Sequence, residues 1–307
     1  MKSYAPVSAD MAAGAAFGAV LRHNLDLLSA WRDTARTWDD IEGVHQVRVS
    51  FRRLRSAFSV FRPILGREAR KFWMDGIKTL ADQTNRARDI DVLIDEGLPA
   101  FRLSPQGAGL ICPARFDAMM LEAREAAYAD VRAMLDSAAF GVFMKDFPAW
   151  IDAQGWAQGD VPAKKRKRQG KGVVELGRRL LGKQDGAVLA FGRKADPGNA
   201  AEMHSLRIAC KKLRYASEFF HPVFEDMDAY LKQMKGLQDI LGLMHDAAVI
   251  RDLMGDVMPD DADAELRAYV EALAMWRAGQ FEVKAASFAQ EWAAFTTAER
   301  PWEDGGL

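Results

Sequence analysis

Apolar residues recur at helical spacing along nearly the whole chain, and two segments carry the pattern most sharply. In the first, Val47, Phe51, Leu54, Phe58 and Phe61 fall on one side of a wheel turned at about 100° per residue. His45, Arg48, Arg52 and Arg55 fall within an arc of roughly 80° on the other side, with Arg53 on its flank. In the second segment Leu206, Cys210, Leu213 and Phe220 oppose His204, Arg207, Lys211 and Arg214, with Lys212 on the flank. There is no sustained Val/Ile/Thr alternation, so the predicted class is all-α. The periodicity predicts helical segments at about 8–37, 41–62, 67–97 and 114–153, the last broken near Gly141 and Pro148. After a turn-rich stretch at 154–162 it resumes at about 172–194, 198–220, 226–257 and 261–296.

The two motif segments are near-copies. His45-Gln-Val-Arg-Val-Ser-Phe-Arg-Arg-Leu-Arg55 lies over His204-Ser-Leu-Arg-Ile-Ala-Cys-Lys-Lys-Leu-Arg214 at a constant offset of 159 residues, which Pro63 and Pro222 also obey. A weaker match continues from Leu80–Asp89 to Leu237–Asp246. Asp39-x-x-Glu42 and Asn199-x-x-Glu202 read as capping boxes before the motif helices. The prolines end both helices. Amphipathic segments joined by short connections predict one four-helix bundle per half. The expected division is a first bundle at 1–155, a basic linker at 156–171 and a second bundle at 172–307. Lys164–Arg168 within the linker is expected to be solvated and flexible.

Formal net charge is −1, which by itself argues against a polyanion ligand. The distribution reverses that conclusion. Residues 45–88 hold 11 Lys/Arg against 3 Asp/Glu, and residues 161–221 hold 15 against 5, so the acidic excess lies in 89–160 and 222–307. Cys112 and Cys210 are the only cysteines, which excludes a disulfide framework. There is no His-x-x-x-His spacing, and a cationic stripe repels metal ions, so neither metal nor cofactor is expected. Residues 11–21 read as part of a first helix rather than a signal peptide, because the periodicity continues through Leu25, Leu28 and Trp31. With no stretch long enough to span a bilayer, the expectation is a cytoplasmic protein without membrane partners.

Two cationic stripes in register call for an extended anion. Arginine offers forked donors to phosphate oxygens, and lysine a mobile point charge. No nucleotide loop or activated nucleophile is visible, so His45 and His204 are assigned to anion contact, not catalysis. Trp73, Met74 and Ile77 are assigned to the core.

The two motifs, with Arg-Asp-Ile-Asp-Val at 88–92 and Leu-Gly-x-x-His-Asp at 241–246, resemble the CHAD domain, the conserved histidine α-helical domain. The resemblance covers about residues 8–296. It implies two four-helix bundles related by a pseudo-twofold axis, with basic residues lining a central groove or pore that binds inorganic polyphosphate without catalysis. It also implies association with polyphosphate granules or with a polyphosphate-metabolising enzyme. The matching positions are His45, Arg48, Arg52, Arg53, Arg55, His204, Arg207, Lys211, Lys212 and Arg214. Additional anion contacts are expected from Arg86, Arg88, Arg178, Arg179, Lys183 and His245. The chain departs from the family pattern at Thr84-Asn85, where the family carries Leu-Gly, which works against tight helix packing there. It departs again at His245, where the family carries Asn. Two other readings stand beside the favoured one. One is a general polyanion or nucleic-acid binder; the other is a phosphatase or phosphotransferase acting through His45 or His204.

Overall fold

A computed structural model of the protein describes residues 4–159 and 161–303, with the side chains of 200, 243–249 and 281–285 excepted. Among the described residues there is no β-strand, and one isolated antiparallel bridge joins Ala12 to Gly172. The first half comprises α1 (Ala13–Trp31), α2 (Glu42–Val60), α3 (Arg67–Asp82), α4 (Asn85–Val92), α5 (Leu98–Arg102), α6 (Ala114–Asp136) and α7 (Ala138–Asp152). A short α8 (Ala163–Gln169) leads to α9 (Val173–Gly192), α10 (Ala200–Phe220), α11 (Met227–Val257), α12 (Ala264–Ala285) and α13 (Phe288–Thr297).

Three expected segments are subdivided. The 67–97 segment stops at Thr84, a buried residue whose hydroxyl donates to the Ala81 carbonyl at 2.7 Å. A polar side chain that bonds its own backbone competes with continuation of the helix. Beyond α4 the chain makes a π-helical turn over Leu93–Gly97. The 114–153 segment breaks at Ser137, not at Gly141 or Pro148. Ser137 has extended backbone and caps α7 by accepting from the Phe140 N–H at 3.1 Å. Pro148 lies inside α7. The 261–296 segment divides between α12 and α13.

The motif helices take the predicted faces. Val47, Phe51, Leu54 and Phe58 on α2, and Leu206, Cys210, Leu213 and Phe220 on α10, are fully buried. Each such large side chain contributes about 1.5–3 kcal/mol on burial. α2 and α10 pack directly on each other, and the equivalent rings of Phe61 and Phe220 meet at a centroid distance of 5.7 Å. α1 and α3 pack against α2, while α9 and α11 pack against α10. The buried apolar residues of both halves join in one continuous core. Trp73 and Ile77 are buried in it, and Met74 packs against it half-buried.

The linker is not a free segment. Trp156 is buried edge-on to Phe17 with centroids 5.3 Å apart. A Cβ at Gly18 would come within 2.7 Å of its ring, so glycine on α1 makes the space for it. Lys164–Arg168 is helical, forming most of α8.

Candidate functional site: a cationic cavity between the motif helices

The two stripes converge because α2 and α10 lie side by side with their apolar faces committed to the core. Between them lies a cavity of about 310 Å³. Arg48 and Arg52 from α2 and Arg207 and Lys211 from α10 line it, with Arg88 from α4 and Arg277 from α12. Asp89 and Glu96 are the carboxylates in the wall, and Val92, Leu93, Gly97 and Ile250 complete it. Six cations therefore face two carboxylates across one space.

α4 and the π-helical turn supply one wall, and a buried cluster fixes their position. Asp91 is fully buried and accepts from Arg124 Nε at 2.9 Å and from the Tyr128 hydroxyl at 2.7 Å, both on α6. With Asp91 held inward, Arg88 and Asp89 on the same helix are placed at the cavity. Arg88 Nη2 lies 3.4 Å from Glu96 Oε1, and Arg48 Nη1 lies 3.7 Å from Asp89 Oδ1. Asn85, expected to disturb packing, accepts a hydrogen bond from Arg48 Nε at 3.0 Å and so orients that guanidinium. Arg52 lies over the buried Tyr215 ring, 5.4 Å from its centroid, a cation–π contact from α2 to α10. The Nε atoms of Arg52 and Arg55 are buried without a hydrogen-bond partner among the described residues.

Concentrated charge shifts the titration of what borders it. Burial and the positive charges of Arg88, Arg52 and Arg48 hold the His45 imidazole below its ordinary pKa of 6.5, against the opposing pull of Glu42. Burial likewise lowers Arg48, with Arg52 and Arg88 acting in the same direction and Asp89 against it. The arrangement is poised for an anion, which would relieve both.

The remaining sequence-derived candidates are distributed elsewhere. Arg53 and Arg214 turn to Glu218, which is 2% exposed at its side chain, with Arg53 Nη2 at 3.1 Å and Arg214 Nε at 2.9 Å. Arg214 also donates to Gln238 Oε1 at 2.9 Å. The Arg53–Glu218 pair joins the two halves, Arg214 braces Glu218 from within α10, and neither arginine lines the cavity. Arg55 is half-buried, while Lys212 and His204 are exposed on α10. Arg86 bridges α4 to α11 by donating to Asp256 Oδ2 at 3.0 Å. Arg178 lines a separate cavity of about 800 Å³ beside Phe224 and Tyr230. Arg179 and Lys183 are exposed on α9. The His245 side chain lies outside the described residues. Sequence reasoning missed Arg277: it stands alone in an acidic segment, and nothing local marks it as a groove residue.

Among the described residues no cluster of three or more His, Cys, Asp or Glu could hold a metal ion. No helix there is long and apolar enough to cross a membrane.

Comparison with known proteins agrees with this geometry at the level of fold and family. No curated protein matches the chain. A crystal structure of the CHAD domain from the plant Ricinus communis superposes with a TM-score of 0.81 at 24% identity, covering 97% of this chain and 96% of that one. PptA from Streptomyces chartreusis superposes with a TM-score of 0.64 at 15% identity, covering 92% and 100%. The family model of the CHAD domain matches residues 19–255, and the chain belongs to that family.

Proposed function

We propose that this protein is a non-catalytic binding module for inorganic polyphosphate, held in the cavity between α2 and α10. The observation that carries this reading is the convergence of Arg48, Arg52, Arg88, Arg207, Lys211 and Arg277 from four helices on one space. Polyphosphate is the ligand known for the CHAD family, and an extended anion suits cations arranged along two helices better than a compact one would. Arg48 and Arg52 act as preorganised donors, oriented by Asn85 and Tyr215 respectively. His45 adds charge when a bound anion raises its protonated fraction. Association with polyphosphate granules or with a polyphosphate-metabolising enzyme would follow from the same ligand.

A nucleic acid presents similar phosphates, but a single strand also needs exposed rings to stack on. Among the described residues no aromatic side chain lines the cavity, and Phe51, Phe58 and Phe61 are buried. Competition separates the readings. Long-chain polyphosphate should resist displacement by RNA at equal phosphate concentration, with no orthophosphate released. Displacement by RNA would make the protein a general polyanion binder, and phosphate release lost on His45→Ala or His204→Ala would make it an enzyme.

A further inference from the structure

The two motif helices end in opposite charge. In the sequence register of α2, Arg48, Arg52 and Arg55 are followed by Ser59 and, in the turn just past the helix, by Arg62. On α10 the matching register reaches Glu218 and His221. Glu218 is taken up by Arg53 and Arg214, and His221 Nε2 pairs with Asp228 Oδ1 at 2.9 Å. Past the prolines the contrast widens: Arg67, Arg70 and Lys71 follow Pro63, whereas Glu225, Asp226 and Asp228 follow Pro222. Along the chain, therefore, cations predominate past α2 and carboxylates past α10.

α8 is docked at the cationic end. Gln169 Nε2 donates to the Ile64 carbonyl at 2.8 Å and the Trp156 carbonyl at 2.7 Å, and Lys165 Nζ donates to the Leu65 carbonyl at 2.7 Å. These bonds seat a helix with a cation at every position from 164 to 168 against the turn that follows α2. Burial and the charges of Arg62, Arg70 and Arg168 lower the Lys165 pKa. Among the described residues no ion pair neutralises Arg62, Arg70, Lys165 or Arg168, so their mutual repulsion is a cost that a bound anion offsets.

We infer that Arg62, Arg70, Lys165 and Arg168 form a second anion site, which takes a further stretch of the polyphosphate chain held in the central cavity. The inference rests on the polyphosphate reading above. From Arg48 to Val60, where α2 ends, the helix rise spans about 18 Å, and Arg62 lies just beyond it. A chain long enough to bridge the sites binds the second one intramolecularly, at high effective concentration, while a short oligomer gains nothing. The α8 site would thus make the protein selective for long chains.

The test compares full-length protein with the Arg62→Glu/Arg168→Glu variant, and with the milder Arg62→Gln/Arg168→Gln in case reversal disturbs folding, using long-chain polyphosphate and tripolyphosphate as probes. The expected result is a loss of about tenfold or more for the long chain, with tripolyphosphate affinity unchanged. Unchanged long-chain affinity in a folded variant overturns the inference. So does an equal loss for both probes, since the cluster would then act only on the cavity. Loss of RNA binding with polyphosphate binding retained also overturns it and assigns the patch to nucleic acid. The wild-type arm judges the parent reading separately: no long-chain binding there at low salt removes both.

Discussion

Glu218 is a small residue-scale feature with a large mechanical role. One buried carboxylate answers Arg53 from the first half of the chain and Arg214 from the second, so it ties α2 to α10 at the spacing the cavity requires. Glu218→Ala would leave Arg53, 16% exposed at its side chain, without its counter-charge. We expect a loss of about 3 kcal/mol in urea unfolding, the lower end for a broken buried pair because Arg214 is a third exposed. A loss under about 1 kcal/mol would show that solvent already screens the pair. His45 gives a second residue-scale expectation. Its folded-state pKa lies below 6.5, so the unfolded chain takes up its proton first. Stability of the free protein therefore falls as pH drops from 6.5 through the lowered pKa. A bound polyanion reverses the sign, because it favours the imidazolium over the repulsion of Arg48, Arg52 and Arg88. Polyphosphate affinity should rise as pH falls through that window, with net proton uptake measurable by calorimetry in buffers of different ionisation enthalpy. His45→Gln should remove the uptake; proton uptake that survives the substitution would remove His45 from the account.

At the scale of elements, the two motif helices begin differently although the sequence marks both starts alike. α10 has the predicted cap: Asn199 Oδ1 accepts from the Ala201 and Glu202 N–H groups at 3.1 and 3.2 Å. At α2 the expected Asp39 instead accepts from the Thr37 hydroxyl, and Asp40 accepts from the Glu42 N–H at 3.0 Å. Asn199→Ala should therefore cost about 1 kcal/mol in thermal or urea unfolding, and Asp39→Ala only a few tenths. Equal losses would contradict the assignment. Most helices were legible because a 3.6-residue period survives wherever one face is buried, as in α2, α10 and α11. The breaks were not, because Thr84 and Ser137 act through single hydrogen bonds that periodicity does not register. Ser137 interrupts a segment whose glycine and proline are both helical, so the usual breakers pointed to the wrong place. The burial of Gln169 and Trp156, which turns the basic linker into a docked helix, likewise depends on tertiary contacts with α1 and the turn after α2.

For the whole molecule, segregation of charge matters more than its sum. A chain of net charge −1 places six cations around one cavity and keeps much of its acid elsewhere. Duplication made four of those six, Arg48, Arg52, Arg207 and Lys211, readable from the stripe alone. Arg88 was readable from the weaker repeat. Arg277 was not, because its place depends on how α12 packs across the cavity rather than on any local pattern. The repeat did not show that Arg53 and Arg214 share Glu218, because for Arg53 that carboxylate arrives from the facing helix, which a wheel does not reveal. The central claim is that the cavity between α2 and α10 holds the polyanion. The most direct measurement is the affinity of full-length protein for long-chain polyphosphate, wild type against Arg52→Glu/Lys211→Glu, across a salt series with circular dichroism confirming the fold. Arg52→Gln/Lys211→Gln serves as the milder control. The account predicts loss of at least about a hundredfold for the reversal at low salt, and a shallower slope of log affinity against log salt in the neutralised variant. A folded double variant that binds with wild-type affinity and an unchanged salt slope would contradict it.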